Sequence, residues 1–247
     1  MLCWRMSKSA KPPPSRSASK PPARKQAARP SVVPRAVKGG TATSPKTYHH
    51  GDLRRVLIAA ALELAEEGGA DGVSVREAAR RAGVSPGAPF RHFPSRNDLM
   101  SAVAEEAQRR FRSAIAAAIA ETSSEDPLVR FRAFGLAYLR WAMKNPAHFE
   151  VISSGKYFAH DQSAVVREDN AELIDMTGQL LSDAQDRGQL RSADLRIMKI
   201  AGRALVYGFA RMNIDEHFPR WGVADAEADQ MAEAIITLFV DGIAKPG

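Results

Sequence analysis

The chain has 247 residues, 45% apolar and 26% charged, with a formal net charge of +7. That length allows one folded domain with a smaller one or with tails, and the apolar content is ample for a core. A single cysteine, Cys3, excludes an internal disulfide framework and a multi-cysteine metal site. No apolar run approaches the length of a membrane span, and the first 30 residues lack the apolar middle of a signal peptide. The expectation is a soluble protein of the reducing cytoplasm.

The charge is unevenly spread. Residues 1–47 hold eleven Lys/Arg and no acid, which leaves 24 basic and 28 acidic residues, a balance of −4, for the remainder. The same stretch carries eight prolines and almost no bulky apolar residue after Met6. Such a segment cannot bury enough surface to offset its ordering entropy, so residues 1–47 are expected to be a disordered basic arm. Next to a DNA-binding motif it would track phosphates and add salt-sensitive affinity. The alternatives are a solvated linker or a start codon placed too early; a transit peptide fits the Arg/Ser richness but not the proline.

Folded sequence is expected from Tyr48, with a head over residues 48–100 and a helical body over 101–247. Leu53, Val56, Leu57, Ala60, Ala61 and Leu64 form an apolar stripe at helical spacing that stops at Gly68-Gly69. Lys46, Tyr48 and His49 precede it, placed to meet a phosphate. His49 and His50 have no second ligand pair at metal spacing, so no metal is implied.

The next stretch, Gly72 to Leu99, organises the chain. Ser74 and Glu77 fit a capping box, with Val73 as the staple residue before it. Val75, Ala78, Ala79 and Ala82 then recur on one helical face and leave Arg76, Arg80 and Arg81 outside. Gly83 supplies a left-handed stop, Val84 plugs the corner, and Ser85 caps a new helix that starts at Pro86. Helix, short glycine turn, helix is the helix-turn-helix plan of DNA-binding proteins, whose second helix offers its first residues to the groove.

Ser85, Pro86, Gly87, Ala88 and Pro89 would therefore face DNA. They are small and nearly without donors, so specificity would lean on groove shape, thymine methyls, Arg76, Arg91 and the arm. Phe90 and Phe93, three apart, read as core anchors. Ser95 caps the following helix, and Arg96 in its first turn is unfavourable with the helix dipole, which suggests a phosphate partner.

The run YHHGDLR…AALELAEEGGADGVSVREAARRAGVSPGAPFRHFPSRNDL resembles the N-terminal DNA-binding domain of TetR/AcrR-type transcriptional regulators over residues 48–100. The resemblance runs through Ala82-Gly83-Val84-Ser85 and Arg91-His92-Phe93-Pro94-Ser95-Arg96. It implies an all-α homodimer that binds a palindromic operator and is released by a small ligand, with Ser74, Arg76, Ser85, Gly87, His92 and Arg96 at or near the DNA. Phe90 stands where the family usually has tyrosine, removing a phosphate hydrogen bond, and Arg96 stands where lysine is usual. From Ala133 to Gly208 the chain also resembles a subgroup with a Trp-x-x-x-His-Gly element, read here as Arg203-Ala204-Leu205-Val206-Tyr207-Gly208.

Beyond Leu99 the pattern is a helical bundle. A helix from Ser95 to about Glu121 carries Leu99, Val103, Ala107, Phe111, Ala114 and Ile115 on one face and would join head to body. Helices follow from Asp126-Pro127, from Asn145-Pro146, from about Ser163 to Arg187, from Asp194, and from about Asp225 to Ala244, nine in all. The helix from Asp194 places Ile197, Ala201, Ala204, Leu205, Gly208 and Met212 on one face. Two terminal amphipathic helices suggest pairing with a second copy as a four-helix bundle, through Leu205, Phe209, Met231, Ile235, Leu238 and Phe239; the alternative is closure of the chain's own core.

Phe111, Phe134, Tyr138, Trp141, Phe149 and Phe158 supply more aromatic surface than the middle helices need. They are candidates for a ligand pocket, with Tyr138, Trp141, His148 and Tyr207 orienting a polar group, or else simply for core. No Gly-rich phosphate loop, metal-spaced cluster or evident nucleophile supports an enzyme, and no cofactor is implied; His148, His160 and Asp161 are scattered. The reading is an all-α, sequence-specific, ligand-released repressor. The rivals are a nucleoid-type DNA binder driven by the basic arm, and a helical ligand-binding protein that has lost operator binding.

Overall fold

The computed structural model describes residues 50–158 and 163–246, with no side-chain description for 50–52. The expected basic arm, Lys46, Tyr48, His49, His160 and Asp161 lie outside the described residues. Everything described belongs to one compact unit beginning at Thr47.

Eight α-helices follow one another among the described residues: α1 (His50–Gly68), α2 (Val75–Arg81), α3 (Arg96–Ala120), α4 (Pro127–Lys144), α5 (Pro146–Ser153), α6 (Ala164–Asp186), α7 (Leu195–Ile214) and α8 (Ala228–Ile243). The only β pairing among these residues is an isolated bridge between Leu190 and Ala244. The class is all-α, as expected.

Most boundaries follow from local chemistry. Ser95 and Asp98 form a reciprocal capping box at the start of α3, with Ser95 N donating to Asp98 Oδ2 at 2.9 Å and Asp98 N to Ser95 Oγ at 3.2 Å. Asp126 Oδ1 accepts from Leu128 N at 2.8 Å ahead of α4, Ser163 Oγ from Val166 N at 3.3 Å ahead of α6, and Asp194 Oδ1 from Arg196 N at 2.8 Å ahead of α7. At the end of α2, Val84 N reaches Ala79 O (3.1 Å) and Gly83 N reaches Arg80 O (3.2 Å), with Gly83 at φ +66°. This is the Schellman closure that the left-handed glycine permits.

Three local expectations need correction. Only half of the Ser74–Glu77 capping box forms: Ser74 Oγ accepts from Glu77 N at 3.2 Å, but the Glu77 carboxylate turns outward to Arg80 Nε at 3.0 Å. The helix expected from Pro86 is a turn followed by a 3₁₀ turn at Pro89–Arg91. Pro86 and Pro89 have no N–H to give, so the segment closes mainly by three-residue steps, Ala88 N to Ser85 O at 3.1 Å and His92 N to Pro89 O at 2.9 Å. The last helix begins at Ala228, with Asp225–Glu227 as a 3₁₀ turn before it.

α3 is the central element. Its first half buries Leu99, Met100, Val103 and Ala104 against the head, while Ala107, Phe111 and Ile115 are buried in the body. Each large side chain contributes about 1.5–3 kcal/mol when fully buried. α4 packs against α3, α6, α7 and α8. On α8 a four-residue ridge, Ala228, Ala232, Ile236 and Val240, is buried. Gly135 of α4 makes room for it, since a Cβ there would lie 2.9 Å from Ile236 Cδ1. Arg140 and Arg132 flank the seam, with Arg140 Nε 2.9 Å from Asp229 Oδ1 and Arg132 Nη2 3.0 Å from Asp241 Oδ1.

On α7 the expected common face points outward. Ile197, Ala201 and Ala204 are exposed and Gly208 and Met212 half-buried, while Met198, Val206, Phe209 and Ala210 are buried.

Candidate nucleic-acid interface and ligand cavity

In the head, α1 and α3 carry the α2 corner, with Val73, Val75, Ala78, Ala79, Pro89 and Phe93 turned inward. Phe93 is the core anchor expected, and the Arg54 guanidinium covers its ring at 5.5 Å. Phe90 is not: it stays 41% exposed beside Arg91 on the outer side of the 3₁₀ turn. Ser85, Pro86 and Gly87 are exposed, and Ala88 and His92 half-buried. Ser74, half-buried, spends its hydroxyl on the α2 cap.

The head's cations divide sharply. Arg80 is held by Glu77, and Arg81 by Glu67 and Glu63 of α1; hydrogen bonding to these arginines holds the Glu77 and Glu67 carboxyls below their ordinary range. Arg96, expected to await a phosphate, is already bonded. Its Nε donates to Val73 O at 2.8 Å and its Nη2 to Ala70 O at 2.8 Å, so the guanidinium ties α3 to the Ala70–Gly72 turn. The planar fork suits two carbonyls, and this bonding accounts for a cation in the first turn of a helix. Arg76 and Arg91 are exposed and have no ion-pair partner among the described residues.

In the body, α3 to α8 line a cavity of about 330 Å³ that opens to solvent beside Ile174 and Ile200. This lies at the low end of the ~300–1,000 Å³ typical of small-molecule sites. Of the eight ligand candidates, Phe111, Phe134, Tyr138 and Phe149 line it. Trp141, His148, Phe158 and Tyr207 do not. Trp141 packs on Phe111 and His148, with ring centroids 5.0 and 6.4 Å away. Tyr207 lies 6.2 Å from Phe149 and beneath the Arg203 guanidinium at 5.3 Å. His148 points to α1, where Nε2 is 3.1 Å from Glu66 Oε1 but poorly aligned, so neither ring nitrogen makes a hydrogen bond. Burial, above all, pushes this imidazole below its ordinary value.

Three of the six expected interface residues are used inside the protomer. Leu205 and Phe239 line the cavity, and Phe209 is buried 4.7 Å from Phe218. Phe218 covers Phe209, and the packing of α8 on α4 brings Phe239, like Leu205 half-buried, to the cavity, which helical spacing alone does not fix. Ile235 is half-buried, and Met231 and Leu238 are exposed.

Sequence reading missed the polar part of the cavity: Gln108, Ser153, Asn170, Thr177, Lys199 and Arg203. Arg203 donates to the Tyr138 hydroxyl and lies over its ring at 5.2 Å. Burial pushes the Tyr138 phenol up to about 12 against the pull of that cation, so it stays protonated. The one available signal was the helical spacing of Lys199 and Arg203, two cations on an otherwise apolar helix segment.

No helix among the described residues is long and apolar enough to cross a membrane. Two family models match: bacterial regulatory proteins of the tetR family over residues 57–103, and the tetracyclin repressor-like C-terminal domain over residues 131–239. None of the curated proteins compared matches. Among solved structures, a Rhodococcus sp. RHA1 protein of unknown function is 30% identical, covering 81% of this chain and 100% of its own at a TM-score of 0.69. Two others share the fold. A tetR-family bacterial regulatory protein from Rhodococcus RHA1 is 19% identical at TM-score 0.63, covering 78% of this chain and 98% of its own. The TetR-family transcriptional regulator PfmR from Thermus thermophilus is 20% identical at 0.60, covering 75% and 97%. With a helix-turn-helix corner over one family match and a cavity-bearing bundle over the other, the chain belongs to the TetR family of DNA-binding transcription regulators.

Proposed function

We propose that the protein is a cytoplasmic, ligand-released repressor that binds a palindromic operator as a homodimer. One observation carries the reading: α3 and α5 each touch both the head and the cavity. Gln108 and Phe111 of α3 line the cavity, and the same helix buries Leu99 and Val103 against the head. Phe149, Ile152 and Ser153 of α5 line the cavity, and His148, on the same short helix, meets Glu66 of α1. Just past α5, Lys156 Nζ lies 2.6 Å from Asp71. A ligand that binds better with α3 and α5 displaced moves the heads and lowers operator affinity by its differential binding energy.

Dimerisation is supported by the outward apolar stripes. Ile197 (65% exposed), Ala201 and Ala204 on α7 and Met231 and Leu238 (75%) on α8 are exposed, on two helices that pack against each other, and apolar side chains left open in this way favour a partner surface. Paired with a copy, these helices form a four-helix bundle and fix the spacing of two heads. At the DNA, exposed Ser85, Pro86, Gly87, Phe90 and Arg91 approach the groove with Arg76, while Ala88 and His92 support them. Arg96 holds the corner in shape.

Footprinting on the DNA upstream of its own gene tests this. Two protected half-sites about 34–36 Å apart, or a multiple, are expected. Uniform coating that vanishes on deletion of residues 1–47 would instead support a non-specific binder acting through the basic arm.

A further inference from the structure

We infer that the cavity takes an amphipathic monoanion: an apolar body, acyl or aryl, ending in a carboxylate or an equivalent anionic group. The inference rests on reading the cavity as the effector site and adds the chemistry of its occupant. Most of the wall is aromatic and aliphatic, from Phe111, Phe131, Phe134 and Phe149 to Ile236 and Phe239. That part accepts only an apolar body.

The charge on the wall has one sign. Lys199 and Arg203 line the cavity one turn apart on α7, and no Asp or Glu lines it among the described residues. Neither cation has a carboxylate partner there, although arginines elsewhere in the chain, such as Arg81, Arg112 and Arg140, are ion-paired. Like charges at this helical spacing repel. Lys199 leans across to α6, its Nζ 3.8 Å from where a Cβ on Gly178 would stand, and Arg203 is held over Tyr138. The Tyr138 oxygen accepts from Arg203 and its phenol stays protonated, so its O–H remains to donate. Ammonium, guanidinium and phenol together make a donor set for one anionic group.

Two further groups argue against a dry void. Gln108 is 5% exposed and lines the cavity, yet its side-chain amide has no hydrogen-bond partner among the described residues. Ser153 Oγ, also on the wall, is buried without a partner. Unpaired buried polar groups are costly, and a cavity that holds them is one that receives a hydrogen-bonding guest. A purely apolar ligand leaves both unsatisfied and gains nothing from the two cations, of which Arg203 is exposed and Lys199 half-buried.

Calorimetric titration of the full-length protein with decanoate, 1-decanol and decylamine, each below its aggregation limit, reads the preference. Decanoate is expected to bind about tenfold or more tighter than decanol, and decylamine weaker than either. In the K199Q/R203Q double variant, decanoate is expected to fall to the affinity of decanol, with decanol binding itself retained as the check that the cavity is intact. Equal affinity for decanoate and decanol, or a decanoate preference that survives in the double variant, overturns the anion assignment and leaves the cavity as a neutral effector site. Failure of all three probes to bind overturns the effector-site reading along with it.

Discussion

The head and the body bury comparable side chains by different rules. In the head the turns and caps close within a few residues, Val84 on Ala79, Ala88 on Ser85 and Asp98 on Ser95, and even Arg96 reaches back no more than 26. In the body the contacts lie far apart: Arg203 on Tyr138, Arg140 on Asp229, Arg112 on Asp169. A local corner has one solution and can be shared across a family. A cavity assembled from six helices changes whenever one helix rotates. The same contrast separates closed from open surface. The head leaves Arg76 and Arg91 outward with a single large apolar ring, Phe90, among its described residues, whereas the body leaves Ile197, Ile200 and Leu238 outward.

The largest expected effect breaks the body's open face. Leu238 is 75% exposed in the protomer, so Leu238→Asp costs the fold little. At the centre of a four-helix interface the same change places a charge against apolar partners. Light scattering behind a sizing column should show the dimer dissociating about thirtyfold or more readily, with helical content by circular dichroism unchanged. A dimer of undiminished affinity would mean that this face does not pair.

A smaller effect tests whether Arg96 belongs to the head's fold rather than to its DNA surface. Arg96→Ala removes charge-assisted bonds to Val73 O and Ala70 O. The expected loss is about 1.5 kcal/mol in denaturant titration. Arg96→Lys keeps the charge but cannot span both carbonyls, so it should recover little of that stability. Full recovery by lysine would show that charge alone matters at this position.

These two residues also mark what could be read ahead of the structure. Gly83, Ser95, Asp126 and Gly188 announce turns and caps because each acts on backbone within a few residues of itself. Nearly all the helix ends follow from such signals. The exceptions are the start of α8, which a 3₁₀ turn precedes, and Pro86 to Phe93, where two prolines three apart withhold the bonds that a full helical turn needs. The carbonyl partners of Arg96, 23 and 26 residues back, leave no mark in the sequence, because any residue supplies a carbonyl. In the cavity, the aromatic members are visible as a surplus, but Gln108, Ser153 and Lys199 are not. Their role exists only once α3, α5 and α7 converge. Phe209 and Phe239 sit on plausible outward faces until Phe218 and the α4–α8 seam turn them in.

Within the head, the division of cations predicts a graded salt response. Arg76→Ala should lower the slope of log affinity against log salt by about one, as expected for a lost phosphate contact. Arg80→Ala should change it less, since Glu77 already neutralises Arg80. Equal effects of the two would erase the distinction between engaged and available arginines.

The smallest effect concerns the seam where the two regions meet. His148 is buried on α5 with Glu66 of α1 nearby; burial pushes its imidazole below the ordinary 6.5, Arg110 adds to this, and Glu66 and Glu106 oppose it. Below that value the unfolded chain binds a proton that the folded one resists. Stability from this site is therefore full above about pH 6.5 and declines as the pH falls, until the folded imidazole itself titrates. One such group gives at most about 1.4 kcal/mol per pH unit. His148→Phe removes the titration and keeps a ring against Trp141, so the difference between wild-type and variant urea midpoints should widen in favour of the variant from about pH 7.5 to about 5.5. A constant difference would mean that the seam tolerates the charged imidazole through Glu66. In that case acid would not loosen the docking of α1 on α5, and the head–body junction would be indifferent to pH.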